Sequence, residues 1–215
     1  MPKERQKRDA ALSRQRIISH AIELFSQKGY DAASMDTLAE HCGLNKAMVF
    51  YYFKSKKGLY EAVMRDVLVK IQETIIEENQ THDTPKEELK GFILTYAKFA
   101  FTHPYLPSLL LKELSDSGAV IPEMLFASMR QLYALFCDIL KRGEKEGCFR
   151  EVKPMPLYFM VLGTLNLMVT TKALRIKASQ LDDIEVDTCA ECSSDDIAAT
   201  VLENIVRIVH KEISQ

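Results

Sequence analysis

Two short apolar-patterned segments between Ser34 and Phe53 begin with residues that can bond to nucleic acid. Ser34 and Asn45 have the small, oxygen-bearing side chains that cap a helix, and Lys46 follows the second cap directly. A hydroxyl, an amide and an ammonium group at the starts of helices are suited to bonding phosphate oxygens and base edges. This segment therefore indicates the chemistry of nucleic-acid recognition.

The residues between the two segments predict how the helices meet. Ala39 is small enough for a helix contact, Gly43 is free to adopt a positive φ, and Leu44 supplies an apolar plug. These are the requirements of two short helices that cross at a steep angle, the helix-turn-helix. Such a unit places the start of its second helix in the major groove. That start consists of Asn45, Lys46, Ala47 and Met48.

Helical periodicity extends through the whole chain, which predicts an all-α fold of nine helices. The first helix is expected from about Ser13 to Lys28, with Gly29 ending it, and the fourth from Ser55 to about Asn79. We expect residues 1–54 to form an N-terminal helix-turn-helix domain and residues 55–215 a C-terminal effector-binding and dimerisation domain, joined by the fourth helix.

Charge is divided unequally between these two parts. Residues Met1 to Tyr60 carry 11 Lys and Arg against 6 Asp and Glu, whereas the remainder carries 17 against 24. A basic head on an acidic body favours a polyanionic partner for the head, although a basic terminus can also serve solubility alone. The basic residues at the N-terminus either reach DNA or remain free in solution; they are Lys3, Arg5, Lys7 and Arg8.

Specific residues of the head resemble the N-terminal domain of the TetR family of regulators, over about Arg14 to Leu59. They are Gly29-Tyr30, Ser34, Leu38-Ala39, Gly43-Leu44 and Phe53-Lys54-Ser55-Lys56 with Leu59. The C-terminal domain resembles the family more loosely, through the runs His103 to Pro107, Lys112 to Leu114 and Glu146 to Pro154.

The resemblance implies specific roles in DNA binding. Ser34 and Lys56 are expected to bind phosphates, Asn45 and Lys46 to lie at the groove, and Tyr51 and Tyr52 to stack against the backbone. The family usually has tyrosine where this chain has Phe50, so one phosphate-bonding hydroxyl is missing there. We expect Phe50 and Phe53 to belong to the core. The predicted DNA-binding set is Ser34, Asn45, Lys46, Ala47, Met48, Tyr51, Tyr52 and Lys56.

One short helix contacts too few base pairs for selectivity, so a homodimer on a palindromic operator is expected. The uncharged helix 154–175 and the amphipathic helix 194–214 suit a four-helix interface, which the resemblance also implies.

The 18 uncharged residues between Lys153 and Lys172 approach the length of a membrane span, but Asn166 and several threonines interrupt them. A buried helix is favoured, with no membrane partner.

In the family, the C-terminal domain usually encloses a pocket whose ligand releases the operator. The resemblance therefore implies a one-component regulator, favouring a repressor, with a small lipophilic effector. Aromatic and Met residues at helical spacing suit an apolar pocket, although they equally suit a core. The ligand candidates are Phe92, Tyr96, Phe99, Met129, Tyr133, Tyr158, Leu162 and Asn166. Asn166, the lone amide of an apolar run, is either a polar anchor or a partner across the dimer seam.

Five cysteines at irregular spacing do not form a disulfide framework and suit the cytoplasm. The pair Cys189 and Cys192 leaves three interpretations open: incidental thiols, a disulfide, or a soft-metal site in a redox- or metal-responsive regulator.

The chain has no phosphate-binding glycine loop, HExxH motif or nucleophile elbow, which argues against an enzyme and implies no cofactor. A DNA architectural protein with no effector pocket remains an alternative to a specific regulator.

Overall fold

The computed structural model describes residues 2–115, 123–180 and 188–210, with residues 2–9, 113–114 and 123–125 described as backbone only. Within these ranges the chain forms ten α-helices, which confirms the all-α prediction. The helices are α1 Pro2–Ala32, α2 Met35–His41, α3 Lys46–Phe53, α4 Lys56–Asn79, α5 Pro85–Thr102, α6 Tyr105–Ser115, α7 Glu123–Lys145, α8 Pro154–Thr170, α9 Lys172–Ala178 and α10 Ser194–Val209.

The first helix is longer than predicted at its N-terminal end. It begins at Pro2 instead of Ser13, because proline is tolerated in a first turn and nothing before Gly29 interrupts the helix. Gly29, with φ 78° and ψ 176°, breaks the helical conformation as predicted, and one more turn continues to Ala32. The basic residues of the N-terminus thus belong to α1 by their backbone, whereas their side chains lie outside the described part.

The fourth helix connects the N-terminal head to the body of the molecule. Its inward stripe recurs every four residues, and all five members are buried: Leu59, Val63, Val67, Ile71 and Ile75. One end of α4 packs on α1, and the rest packs on α5 and α7. Helix α4 therefore packs against both the head and the body.

Helix α5 lies at the centre of the body and contacts α4, α7, α8 and α10. Phe92 and Ile93 are fully buried within it, and Tyr96 is 2% exposed. An ion pair also joins α5 to α7, in which Arg142 bonds both carboxylate oxygens of the buried Glu88. The body is thus built around one helix that touches most of its neighbours.

The predicted helix 154–175 is wrong as a single element, and the count of nine helices is wrong with it. The structure ends α8 at Thr170 and begins α9 at Lys172, with a bend of 64° between them. The Thr171 hydroxyl donates to the Leu167 carbonyl and the Thr170 hydroxyl to the Asn166 carbonyl, bonds that bend helices. Among the described residues, no single helix is long and apolar enough to cross a membrane; α8 and α9 reach that composition only as a bent pair.

The segment before the last helix contains a disulfide between Cys189 and Cys192, one of the three interpretations left open. Arg175 holds this segment against the body, because its guanidinium donates to the carbonyls of Cys189 and Met168. No group of three His, Cys, Asp or Glu side chains suited to a metal occurs in the described ranges. Helix α10 follows and begins with a capping box of Ser193 and Asp196.

Candidate nucleic-acid interface

Helices α2 and α3 form the predicted helix-turn-helix. Leu38 and Ala39 are buried between the helices, and Gly43 has the predicted positive φ of 61°. The turn closes where the Leu44 amide donates to the Ala39 carbonyl at 2.9 Å. This bond closes the turn and holds α3 against α2.

Three polar side chains cap the short helices and the start of α4. The Ser34 hydroxyl accepts from the Asp36 amide at 3.2 Å, the Asn45 Oδ1 accepts from the Met48 amide at 2.8 Å, and the Ser55 hydroxyl accepts from the Gly58 amide. Ser34 and Asn45 are exposed, so the Ser34 hydroxyl hydrogen and the Asn45 amide nitrogen remain free to donate outwards.

Helix α3 turns one narrow stripe inwards and exposes the rest. Val49 and Phe53 are 0% and 6% exposed, whereas Tyr51 is 69% exposed on the opposite face. The prediction that Phe53 belongs to the core is confirmed. The prediction that Phe50 does is wrong, because its side chain is 36% exposed. Phe50 lies about 100° around the helix from Val49, at the edge of the inward stripe.

Lys46 lies on the surface, paired with an acidic residue of α2. Its Nζ is 2.8 Å from Asp36 Oδ2, and both side chains are more than half exposed. Because exposed pairs contribute only about 0 to 1 kcal/mol, this pair can open without loss of the fold.

Lys56 is engaged within the head. Its Nζ donates to the Asp31 carbonyl at 2.9 Å and lies 4.8 Å from the centre of the Tyr30 ring. The contact ties the end of α1 to the start of α4. Since an ammonium has three N–H donors, two remain for other acceptors.

Two further lysines extend the basic surface and were absent from the predicted set. Lys54 ends α3 with a positive φ of 66°, and its Nζ lies 5.5 Å from the Tyr51 ring centre. Lys57 is exposed in the first turn of α4. Three lysines within four residues, from Lys54 to Lys57, were the signal available in the sequence.

The ligand candidates of the body lie around α5, α7 and α8. Phe92, Phe136 and Tyr158 form an aromatic cluster with ring centres 5.2 Å to 6.3 Å apart. Tyr96 donates from its hydroxyl to Asn166 Oδ1 at 2.8 Å, and Asn166 is 6% exposed. Asn166 therefore has a partner inside its own chain. Burial raises the pKa of the Tyr96 phenol, which keeps it a proton donor.

The other candidates are less enclosed. Met129, Tyr133 and Leu162 are half-buried, and Phe99 is 9% exposed. Phe99 also lines a surface cleft of about 490 Å³ between α4 and α5, together with Lys98 and other polar residues.

Helices α8 and α10 expose large apolar side chains. On α8, Met155, Phe159, Met160 and Leu167 are 45% to 56% exposed, and Val206 on α10 is 39% exposed. The two helices pack against each other in the body. Their outer faces therefore form one partly apolar surface.

Residues 17–63 match the family model described as bacterial regulatory proteins, tetR family. The chain is 25% identical over 159 residues to the HTH-type transcriptional regulator YttP of Bacillus subtilis, a match that covers 73% of this chain and 75% of the relative. It is 48% identical over 46 residues to the biofilm operon negative regulator IcaR of Staphylococcus aureus, covering 21% of this chain and 25% of that protein.

The whole fold is similar to that of AibR, solved in complex with isovaleryl coenzyme A and operator DNA. The TM-score is 0.70 at 17% identity, covering 89% of this chain and 97% of that chain. The segment that matches the family model, residues 17–63, includes all of α2 and α3. Their caps, turn and exposed face have the geometry described above. Residues 17–63 therefore match the tetR family of bacterial regulatory proteins, and the chain as a whole is similar to HTH-type transcriptional regulators.

Proposed function

We propose that this regulator is a repressor that binds a palindromic operator as a homodimer and is released by a small lipophilic effector. The observation that carries the proposal is the exposed face of α3, which is presented by a capped, rigid helix-turn-helix. The residues that contact DNA are Ser34, Asn45, Lys46, Ala47, Met48, Tyr51, Tyr52 and Lys56. Lys54 and Lys57 join them at the junction of α3 and α4.

Binding to phosphates is supported by the donors that remain after the internal bonds are counted. Ser34 and Lys56 each keep at least one free N–H or O–H donor, and the exposed Tyr51 hydroxyl can donate to a phosphate. Lys46 exchanges Asp36 for a phosphate when DNA approaches, since both charges are solvated in the free protein.

Mobility-shift titrations at several salt concentrations test these contacts. We expect Lys46→Ala and Lys56→Ala to weaken binding and each to lower the salt slope by about 0.9 per protomer, or about 1.8 for the homodimer. Lys86→Ala, at an exposed position far along the chain in α5, is the matched control. Unchanged affinity and slope in both head variants would refute the assignment.

Dimerisation is supported by the exposed apolar side chains of α8 and α10. A monomer that left Phe159 and Met160 half exposed would present an apolar patch of the kind that marks an interface. We expect Phe159→Glu to give a monomer in sedimentation equilibrium and to lose operator affinity. Phe126→Glu, which changes a similarly exposed phenylalanine on α7, is expected to remain dimeric.

The effector site is proposed in the body, residues 55–215, around Tyr96 and Asn166. These two side chains are a polar pair among apolar neighbours, and the solved relative AibR binds an acyl thioester. The remaining members are Phe92, Phe99, Met129, Tyr133, Tyr158 and Leu162. Isovaleryl coenzyme A and a panel of lipophilic acids and cations are the probes in a thermal-shift screen. A compound that raises the Tm must also release DNA; a panel without any such compound contradicts a lipophilic effector.

A redox-responsive regulator is the second candidate, favoured by the disulfide between Cys189 and Cys192. Arg175 connects this disulfide to the end of α8, beside the proposed dimer surface. If the redox state of this pair controls operator binding, a reductant changes the DNA affinity of the native protein. It leaves unchanged the affinity of the double variant Cys189→Ser and Cys192→Ser. Equal affinities under oxidant, reductant and added zinc would remove this candidate.

A further inference from the structure

The exposed face of α3 carries apolar side chains beside polar ones. Ala47 and Met48 are exposed on either side of Tyr51 around the helix, and Met48 leaves 36% of its surface open. Lys46 is the only charged residue in the helix sequence. A surface that binds only phosphates would not require apolar side chains here.

The polar residues at the start of α3 each make one internal contact. The Asn45 Oδ1 accepts the Met48 amide at 2.8 Å, which leaves its second lone pair and the amide nitrogen for other partners. Lys46 lies 2.8 Å from Asp36 and contributes a single charged donor. These groups suit polar base edges and phosphates, so a contact to an apolar base group falls to the apolar side chains beside them.

Thymine is the base that offers an apolar group in the major groove, its C5 methyl. A Met or Phe side chain placed on any other base edge would cover donors or acceptors without bonding them, which is costly. Lys46 lies at one end of α3, and Lys54 and Lys57 lie at the other. The positive charges can therefore hold the phosphates at both ends of this exposed face.

We propose that α3 selects A·T base pairs through thymine methyl groups, with Met48 as the main contact and Ala47 beside it. The inference rests on the proposed binding of operator DNA and adds the chemical basis of its sequence preference. Met48 is unbranched and adapts its shape to a methyl group in the groove.

Selection from a pool of random duplexes, followed by uracil substitution, tests this proposal. We expect each selected half-site to contain thymine under α3. Replacing one such thymidine by deoxyuridine removes the methyl group and leaves the minor groove unchanged. The expected loss of affinity is about three- to fivefold per methyl group, and Met48→Ala loses that sensitivity at one position at least. Met48→Leu, which keeps an apolar side chain, should retain it.

Phe126→Ala, at an exposed apolar position of α7, is the matched control and should show the same uracil sensitivity as the native protein. Thermal melting confirms that each variant is folded. A selected sequence that tolerates uracil at every thymine under α3 overturns the inference and leaves operator binding intact. A pool without any enriched sequence overturns operator binding itself, and this inference with it.

Discussion

The buried hydrogen bond between Tyr96 and Asn166 allows a quantitative test of how the body is held together. Tyr96→Phe removes the hydroxyl that donates to Asn166 Oδ1 at 2.8 Å. Tyr96 is 2% exposed and Asn166 is 6% exposed, so water does not readily replace the lost donor. The oxygen left behind is a buried acceptor without that bond, which costs about 1 to 3 kcal/mol. For a chain of this size, that corresponds to a fall in Tm of roughly 2 °C to 12 °C.

The double variant separates the bond from general damage to the core. Asn166→Leu alone strands the Tyr96 hydroxyl and should cost a similar free energy of unfolding. Tyr96→Phe with Asn166→Leu removes both partners and replaces them with apolar groups, so its cost should be well below the sum of the single variants.

Urea unfolding followed by circular dichroism measures these free energies, and the urea dependence should be equal in all variants. Tyr51→Phe, which removes the hydroxyl of a tyrosine that is 69% exposed, is the control and should change stability by less than about 0.5 kcal/mol. If the costs of the two core variants add, or if Tyr96→Phe is as stable as the native protein, the bond does not stabilise the body as argued.

Three further predictions concern the head, the contact between head and body, and alkaline pH. In Gly58→Ala, the new Cβ would lie 2.3 Å from the Phe53 carbonyl oxygen, so the junction of α3 and α4 must shift. We expect the free energy of unfolding to fall by about 1 to 3 kcal/mol and DNA binding to weaken. A stabilised variant would contradict this. Lys112→Met removes the hydrogen bond from α6 to the Ser26 carbonyl of α1. Hydrogen exchange near the end of α1 should accelerate, and the free energy of unfolding should fall by about 1 kcal/mol. Unchanged exchange would count against this contact. Burial raises the pKa of the Tyr158 phenol above that of the unfolded chain, which is about 10. The contribution of this phenol to stability is therefore full below about pH 10 and falls as the pH rises beyond it. Urea unfolding at a series of pH values should show a smaller fall in Tyr158→Phe, and an equal dependence of the free energy of unfolding on pH in both proteins would refute the argument.

Local features of the head were predictable because their partners are close in sequence. The caps at Ser34 and Asn45 bond amides two and three residues away, and Gly43 takes its positive φ at the turn between the helices. The inward stripe of α4 follows from the period of the helix alone. The sequence therefore determined the type of fold, the position of the helix-turn-helix and its exposed N-terminal end.

Other features depend on residues that meet only in the folded chain. The bond from Lys56 to the Asp31 carbonyl spans 25 residues, and the bond from Tyr96 to Asn166 spans 70. Phe50 is apolar in sequence, but its position beside the inward stripe of a short helix leaves it exposed. Periodicity reveals which face of a helix is apolar, whereas the neighbour that covers this face comes from distant parts of the chain. Tertiary structure alone therefore decided which polar groups are paired and which apolar groups remain open to DNA or to a second subunit.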